Sequence, residues 1–529
     1  MKKNTTTIIL LLMVLSLIGT NDIVSAQLKP AGELKIILPN LWNEALDPML
    51  SMAGGRAALE AVYDCLIGAK PDGSGYSKET GVATDWQLSP DGKVWTIYLR
   101  KGIQFHRGFG ELTAEDVQFS LERLRSERSV ATQKGYLKRT IDRIEVVDRY
   151  TIKVFSTGMA IPDFIPIMSP HYNSTEQLIV SKKAFEKLGE KGFATNPVGS
   201  GPYQFVEHIG GQYVKLEAVD KHWRVGTPRF KNVFFIAVPE EETSIAMIAR
   251  GDADIAAISQ FNVKRVKEKG IDVIMQKSMG GVTVWIDDQF VKGIPGNNEK
   301  VREALNLAID RQALVDTIFE GKGRPMATFF VTSVALENMG YNWREDLYPY
   351  DPNRARKLLE EAGYPNGFDI DIYVYPYTGV REGPEVMQAI AGMWSTIGVR
   401  PKLISVDYGV VRAKLSKGEI PGAVGYFPSR AFPWQGMLGI YKQFWESSGV
   451  FTYIKSEEMD KILDRASRAI DPEITKTALK EAAKYIRKHH HAIPLLEFDV
   501  AYAVSKKVKR WDPGSLPGNL NLDSLFKSQ

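Results

Sequence analysis

Seven histidines, two runs of acids and a single cysteine are the groups in this chain that could do covalent or acid–base chemistry. The histidines are His106, His171, His208, His222 and the run His489-His490-His491. Consecutive residues on a helix point about 100° apart, so the run cannot converge on one metal ion unaided. The expected reading is a solvated helix end, where positive charge suits the macrodipole. Glu240-Glu241-Glu242 and Asp287-Asp288 are not acid/base pairs by themselves, because adjacent side chains face opposite ways on a strand and diverge on a helix. The first run is expected at a solvated helix start after Pro239, the second just beyond a strand. Cys65, within Val62-Tyr63-Asp64-Cys65-Leu66-Ile67, reads as a small buried hydrophobe. A lone cysteine excludes an internal disulfide, a CxxC pair and a Cys-based zinc site. GxSxG, HExxH, GxxxxGK[ST] and GxGxxG are all absent. Nothing here calls for an enzyme, a resident metal or a cofactor.

The elements that position these residues alternate between short strands and amphipathic helices, the pattern of an α/β fold. Strands are expected at Leu34 to Leu38, Val94 to Leu99, Thr151 to Phe155, Tyr213 to Val219, Val233 to Val238 and Ile370 to Val374. Thr113 with Asp116 forms a capping-box-like start, after which Val117, Leu121 and Leu124 share one face. Asp351-Pro352 supplies an acceptor at N-cap and proline at N1; Ala355, Leu358, Leu359 and Ala362 make the apolar stripe, and Gly363 the stop. From Lys300 to about Phe319, Val301, Ala304, Leu305, Ala308 and Ile309 recur at helical spacing, with Asp310 capping a second helix. Further helices are expected after Ser456 and Asp471-Pro472. No internal repeat or low-complexity tract occurs.

At 529 residues the chain exceeds the roughly 250–300 that one hydrophobic core supports, so several domains are expected. Its 67 Lys+Arg and 63 Asp+Glu are dispersed, with no basic run of the kind that binds nucleic acid. Met1-Lys2-Lys3, the apolar run Ile8 to Ile18 and Val24-Ser25-Ala26 form the charged, hydrophobic and cleavage regions of an export signal, too short to span a bilayer. The mature chain is expected to begin at Gln27. No cysteine follows the apolar run, so a periplasmic protein without a lipid anchor is expected.

Several segments resemble one family, the extracytoplasmic solute-binding proteins (family 5) of peptide, nickel and opine ATP-binding-cassette (ABC) importers. They are Phe105-His106-Arg107-Gly108 leading to Leu112-Thr113-Ala114-Glu115-Asp116-Val117 and Ser120-Leu121-Glu122-Arg123; Asn196-Pro197-Val198-Gly199-Ser200-Gly201-Pro202-Tyr203; and Gly251-Asp252-Ala253-Asp254. Val301-Arg302-Glu303-Ala304-Leu305 through Ala308-Ile309-Asp310-Arg311, and Ala355-Arg356-Lys357-Leu358-Leu359 through Glu361-Ala362-Gly363, complete the set. They keep the family's order from about residue 45 to 495. Most read as scaffold: Gly199-Ser200-Gly201-Pro202 should turn tightly into a strand, its glycines free to take positive φ.

The resemblance implies a periplasmic-binding-protein-like fold, two lobes around a cleft with an extra domain inserted. Domain I would comprise 27–74, 197–279 and 496–529, domain II 75–196 and domain III 280–495. Chain crossings between lobes would fall near Ser278-Met279-Gly280-Gly281, a hinge candidate, and near Ala492-Ile493-Pro494. It further implies a monomer that takes a small-molecule or peptide ligand to the transmembrane subunits of an ABC permease.

Candidate ligand contacts are Trp42 and Arg56 in the region the family turns toward the cleft, Trp285 at the end of the strand after the hinge, Arg381 before a helix, and Tyr426, Phe427, Arg430 and Trp434 in a Gly/Pro-broken loop. In peptide-binding relatives an aspartate in this last loop anchors the ligand's α-amino group. Here no Asp or Glu lies between Glu419 and Glu446, and Arg430 stands there instead. The amine anchor is lost, and guanidinium groups would favour a carboxylate. The alternative is a neutral solute stacked on Trp42, Trp285 and Trp434. Burying roughly 200 Å² of apolar surface yields on the order of 5 kcal/mol gross; micromolar binding needs about 8 kcal/mol net, so either mode requires several contacts. Outside this class stand an exported hydrolase with a non-standard site and a ligand-dependent sensor or chaperone on the same fold.

Overall fold

The computed structural model describes residues 29–41, 44–51, 56–70, 75–131, 133–158, 161–170, 177–375, 380–428, 434–514 and 520–526. Its strands are β1 (Glu33–Leu38), β2 (Ala83–Leu88), β3 (Val94–Leu99), β4 (Ile141–Asp148), β5 (Thr151–Ser156), β6 (Tyr203–Ile209), β7 (Tyr213–Ala218), β8 (Asn232–Ala237), β9 (Ile255–Ile258), β10 (Asp272–Ile286), β11 (Gly323–Pro325), β12 (Asp369–Val374), β13 (Arg400–Ser405), β14 (Val424–Pro428) and β15 (Ile493–Val504), with short two-residue ladders besides. All six strands expected from the sequence are present, within a residue or so at each end.

Eleven strands make one sheet, yet they fall into two groups. The first runs β6-β7-β8-β1-β9 and is closed by the second half of β15 and the start of β10. The second contains β13, β12, β14, the end of β10, the first half of β15 and β11. Only β10 and β15 belong to both. At the joint their ladder slips: Gln276 pairs with Val500 and Gly280 with Phe498, leaving residues 277–279 opposite Asp499 alone. A bulge of this kind bends its strand and breaks the ladder locally. Gly280 is there for close approach, since a Cβ would come 2.5 Å from the Phe498 ring.

Between β1 and β6 the chain forms a separate antiparallel sheet, β2-β3-β5-β4. In β3, Trp95, Ile97 and Leu99 are buried at alternate positions, as expected of a sheet with one packed face. The helix Ala114–Leu124 buries Val117, Leu121 and Leu124. Its start is held by Asp116, whose carboxylate accepts from the Thr113 backbone N–H at 2.9 Å. This segment is tied to the first group by a two-pronged pair, Arg123 donating to both Asp47 oxygens at 3.1 and 2.5 Å.

Helix starts in the second half also follow the expected caps. Asp310, Asp351 and Ser456 accept from the backbone N–H three residues on, at 2.9, 2.9 and 3.2 Å, and Asp471 from Glu473 at 2.9 Å. The stop at Gly363 has φ +89°, a conformation a side chain would strain.

Candidate ligand site between the strand groups

Antiparallel pairing of β10 with β14 sets Trp285 opposite Gly425, Val284 opposite Tyr426 and Thr283 opposite Phe427. Paired residues share a face, so Trp285 and Phe427 lie together and Tyr426 lies on the other side. The indole covers Gly425 so closely that a Cβ there would sit 2.3 Å from Cζ2. Trp285 stacks on Tyr453 (centroids 6.2 Å, 13° between planes) and lies 6.1 Å from Phe427, which is 5.4 Å from Phe444 and 6.0 Å from Phe330. Tyr426 stacks on Tyr375 at 4.8 Å and donates its hydroxyl to the Tyr375 carbonyl.

Two of the expected contact residues, Trp285 and Phe427, are thereby gathered as a wall, with Tyr426 on the other face of the sheet. Trp285 and Tyr426 are fully buried and Phe427 nearly so. The loop expected around them is also corrected: Tyr426 and Phe427 belong to β14, and Trp434 opens the helix Trp434–Trp445, its side chain outside the described set. Gly425 stays within the strand because the Trp285 ring takes the room a side chain would need. Trp42 and Arg430 lie outside the described residues. On this wall only Phe330 is half-exposed, and it holds a left-handed φ of +66°, strained for a bulky residue and a mark of functional sites.

The wall carries buried polar atoms with no protein partner: Trp285 Nε1, the Tyr453 hydroxyl and Asp287 Oδ2. Burial, with the adjacent Asp288 charge, pushes the Asp287 carboxyl up to about 8. Asp287 follows β10 as expected, yet it is 2% exposed and keeps its proton at neutral pH. Nothing in its sequence context signals this, since the groups that desolvate it come from distant segments.

The two arginines serve as internal ties. Arg56 opens the helix Arg56–Val62 fully buried, ion-paired to Glu60 and donating to the Pro170 carbonyl at 3.1 Å. Arg381 reaches from the second group to the first, where its guanidinium donates to the Pro239 carbonyl at 3.4 Å. Its Nε and Nη2 are buried without partners, and burial lowers its pKa despite Glu241, Glu382 and Glu240 nearby. Sequence reasoning missed its neighbour Glu382, which is buried and accepts from the Gln260 backbone N–H at 2.7 Å.

Other motif residues are structural. Asp64 accepts from Ser200 (2.9 Å), Trp223 (2.8 Å) and Arg224 (3.2 Å) and pairs with His222; despite full burial these partners hold it well below the carboxylate range. His106 Nε2 donates to the Gly201 carbonyl at 2.8 Å, and burial lowers the ring to about 4. The glycine requirement at 199 and 201 comes from close approach, not from positive φ: a Cβ at either would meet the Val62 or Ala61 carbonyl at 2.0 or 2.5 Å. Burial pushes the Cys65 thiol up to about 12, so it stays an unreactive thiol.

The expectation of a solvated, charged histidine end fails at His490 and His491. His490 lies against Tyr348 and His491 against Gln289 (2.9 and 2.8 Å), and burial lowers them to about 4 and about 2, so both are neutral.

Two groups of strands joined by a pair of crossing strands, with contacts reaching across between them, define a two-lobed binding protein. The chain belongs to the bacterial extracellular solute-binding proteins, family 5, whose middle region matches residues 79–443. The glutathione-binding protein GsiB of Salmonella typhimurium is 28% identical over 468 residues, covering 86% of each chain. Heme-binding protein A of Haemophilus influenzae is 27% identical over 492 residues, covering 86% of this chain and 85% of that one. Among solved structures, the periplasmic binding protein DppA of Helicobacter pylori in complex with the peptide STSA superposes with a TM-score of 0.81 at 24% identity, covering 95% and 99% of the two chains. MoaA of A. tumefaciens R10 in complex with mannopinic acid gives 0.79 at 24%, covering 94% and 100%. The fold is that of a periplasmic binding protein.

Proposed function

We propose that this chain is the capture component of an ABC importer, closing on a small peptide-like or carboxylate-bearing solute between its lobes and presenting the closed form to the transmembrane subunits. The observation that carries the reading is the joint: two strand groups share only β10 and β15, and both strands are irregular at the same level, residues 277–279 against Asp499. A ligand that touches both groups has differential affinity for the closed form and so shifts the population toward it. On this reading the domain division expected from the sequence gives the lobes, 27–74, 197–279 and 496–529 as one, 280–495 as the other and 75–196 inserted. The aromatic wall supplies apolar area, and Arg381, whose Nε and Nη2 are buried without partners, is a candidate polar contact. An export signal over residues 1–26 and a monomer working in the periplasm complete the reading. The relatives' ligands, glutathione, heme, a peptide and an opine acid, span the chemistry to be tried first.

The test is mass spectrometry of what co-purifies with the mature chain. Tryptophan fluorescence and X-ray scattering follow, during titration with short peptides, their N-acetylated forms and carboxylate-bearing opines. Capture with compaction supports the reading. A tight ligand that changes neither signal would sink the closing mechanism, and equal affinity for free and acetylated peptides is expected if no amine anchor operates.

A further inference from the structure

We infer that Glu382 and the first turn of the helix Gln260–Glu268 form a catch that sets the balance between open and closed forms; this rests on the two-lobed reading above. Glu382 immediately precedes the helix Gly383–Ser395, which packs on β12 and β13 in the second group. The helix Gln260–Glu268 follows β9 and packs on β10 and β15 from the first. One bond joins them, Gln260 N–H to Glu382 Oε1 at 2.7 Å, spanning 122 positions of sequence.

The helix start is arranged to leave that N–H available. A helix leaves its first N–H groups without internal partners. Here Glu241 accepts from Ser259 N (2.7 Å), Ser259 Oγ (2.9 Å) and Asn262 Nδ2 (2.8 Å), which organises the cap and leaves Gln260 N for the opposite lobe. The Gln260 side chain points the other way, donating to the Asp499 carbonyl at 2.6 Å, the residue that faces the bulge. The catch is therefore tied directly to the joint. Glu382 and Gln260 are 3% and 1% exposed, so the bond is made away from water. Arg381 beside it also crosses, donating to the Pro239 carbonyl at 3.4 Å, and Arg139 of the inserted segment reaches Glu446 at 3.5 Å, a half-exposed and correspondingly weak pair.

Opening the lobes exchanges a buried bond for water, and deleting it should shift the closed-to-open ratio about tenfold toward open. Gln260→Pro deletes the donor together with the side-chain bond to Asp499, and Gln260→Ala, which removes the side-chain bond alone, is its control; proline suits the first helical position, and Ser259 already has the extended conformation (φ −69°, ψ 157°) that precedes a proline. The experiment uses the whole mature chain and no added ligand. X-ray scattering compares wild type with Glu382→Ala, Glu382→Gln, Gln260→Pro, Gln260→Ala and the Glu382→Ala/Gln260→Pro double variant, and far-UV circular dichroism and melting verify that each is folded. Glu382→Ala and Gln260→Pro should each expand the particle, the double variant no more than either single, and Glu382→Gln, which keeps an acceptor oxygen without the charge, should stay as compact as wild type. A folded Gln260→Pro protein that scatters as wild type overturns the catch even if Glu382→Ala fails to fold. Solute capture by the wild type is scored separately: capture without any variant effect removes the catch and leaves the binding reading standing, and expansion without capture does the reverse.

Discussion

Replacing Asp287 by Asn tests the electrostatics of the aromatic wall. The Asp287 carboxyl is pushed from its ordinary 3.8 to about 8 by burial and by Asp288, and its Oδ2 has no partner. An acid whose pKa is raised on folding holds its proton in the folded state while the unfolded chain has already lost it. Its favourable contribution is complete below pH 3.8 and is eroded as pH climbs toward about 8. Each unit of separation is worth about 1.4 kcal/mol, which sets a ceiling of roughly 4 kcal/mol between pH 5 and pH 8. Relaxation and water entry bring the expected value to about 2 kcal/mol. Thermal and urea unfolding of Asp287→Asn and wild type at both pH values measures it: the variant should gain on wild type at pH 8 by that margin relative to pH 5. Asp288→Asn, which removes the neighbouring charge, should shrink the pH dependence. An offset between Asp287→Asn and wild type that is the same at both pH values would refute the reasoning, as would a variant less stable than wild type at pH 8 alone.

Gly425→Ala forces the Trp285 ring to move, because the new Cβ falls 2.3 Å from Cζ2; a loss of about 1–3 kcal/mol and an altered near-UV dichroism are expected, and an unchanged aromatic spectrum would contradict the packing. Arg123→Ala leaves Asp47, wholly buried, without its guanidinium, and should cost about 3–5 kcal/mol in chemical denaturation; a cost under about 1 kcal/mol would show the tie to be dispensable. Compactness should fall as pH rises from 5 to 8, since burial, with Glu241 and Glu385 adding to it and the Gln260 N–H opposing, raises Glu382 to about 7 in the closed form. Opening returns Glu382 to water and its ordinary range, so protonation favours closure; scattering of Glu382→Gln should be flat over the same interval, with Arg381 and Glu240 the other charges beside it.

What the sequence disclosed and what it hid divide by distance along the chain. Caps at Thr113, Asp310, Asp351, Ser456 and Asp471 were readable because acceptor and donor lie two or three residues apart and the chemistry is complete within one turn. Trp285, and separately Tyr426 and Phe427, could be picked out as candidate contacts, but their depth and the pairing that joins them could not: burial depends on which strand pairs with β10, and that partner lies some 140 positions away. Arg56 and Arg381 were expected to face ligand on residue type alone. Glu60 sits one turn beyond Arg56 and could have been noticed as its partner. The Pro239 carbonyl that receives Arg381 has no sequence signal at all. Histidine charge failed for the same reason, since Tyr348 and Gln289, which enclose His490 and His491, are remote.

The position of the joint bears on how such a molecule moves. β10 and β15 are hydrogen-bonded neighbours on both sides of the slip, from Asp272 to Gln276 and again from Gly280 to Val284. A second shift lies between Val282 and Thr283, but the wider interruption, residues 277–279 opposite Asp499, is where bending along the two strands breaks the fewest ladder pairs. Two adjacent strands flexing at one level define an axis, which permits a swing of one lobe against the other and resists sliding. Gln276 is held on the first-lobe side by the Pro513 and Gly514 carbonyls and by Tyr502, and Phe498 is pressed onto Gly280 on the other. A catch at Gln260, fastened to Asp499 itself, acts on a short lever arm: small displacement there accompanies a large one at the open edge of the cleft. On the reading proposed above, a single buried bond can then set the position of the open–closed equilibrium without adding to the ligand's own contacts.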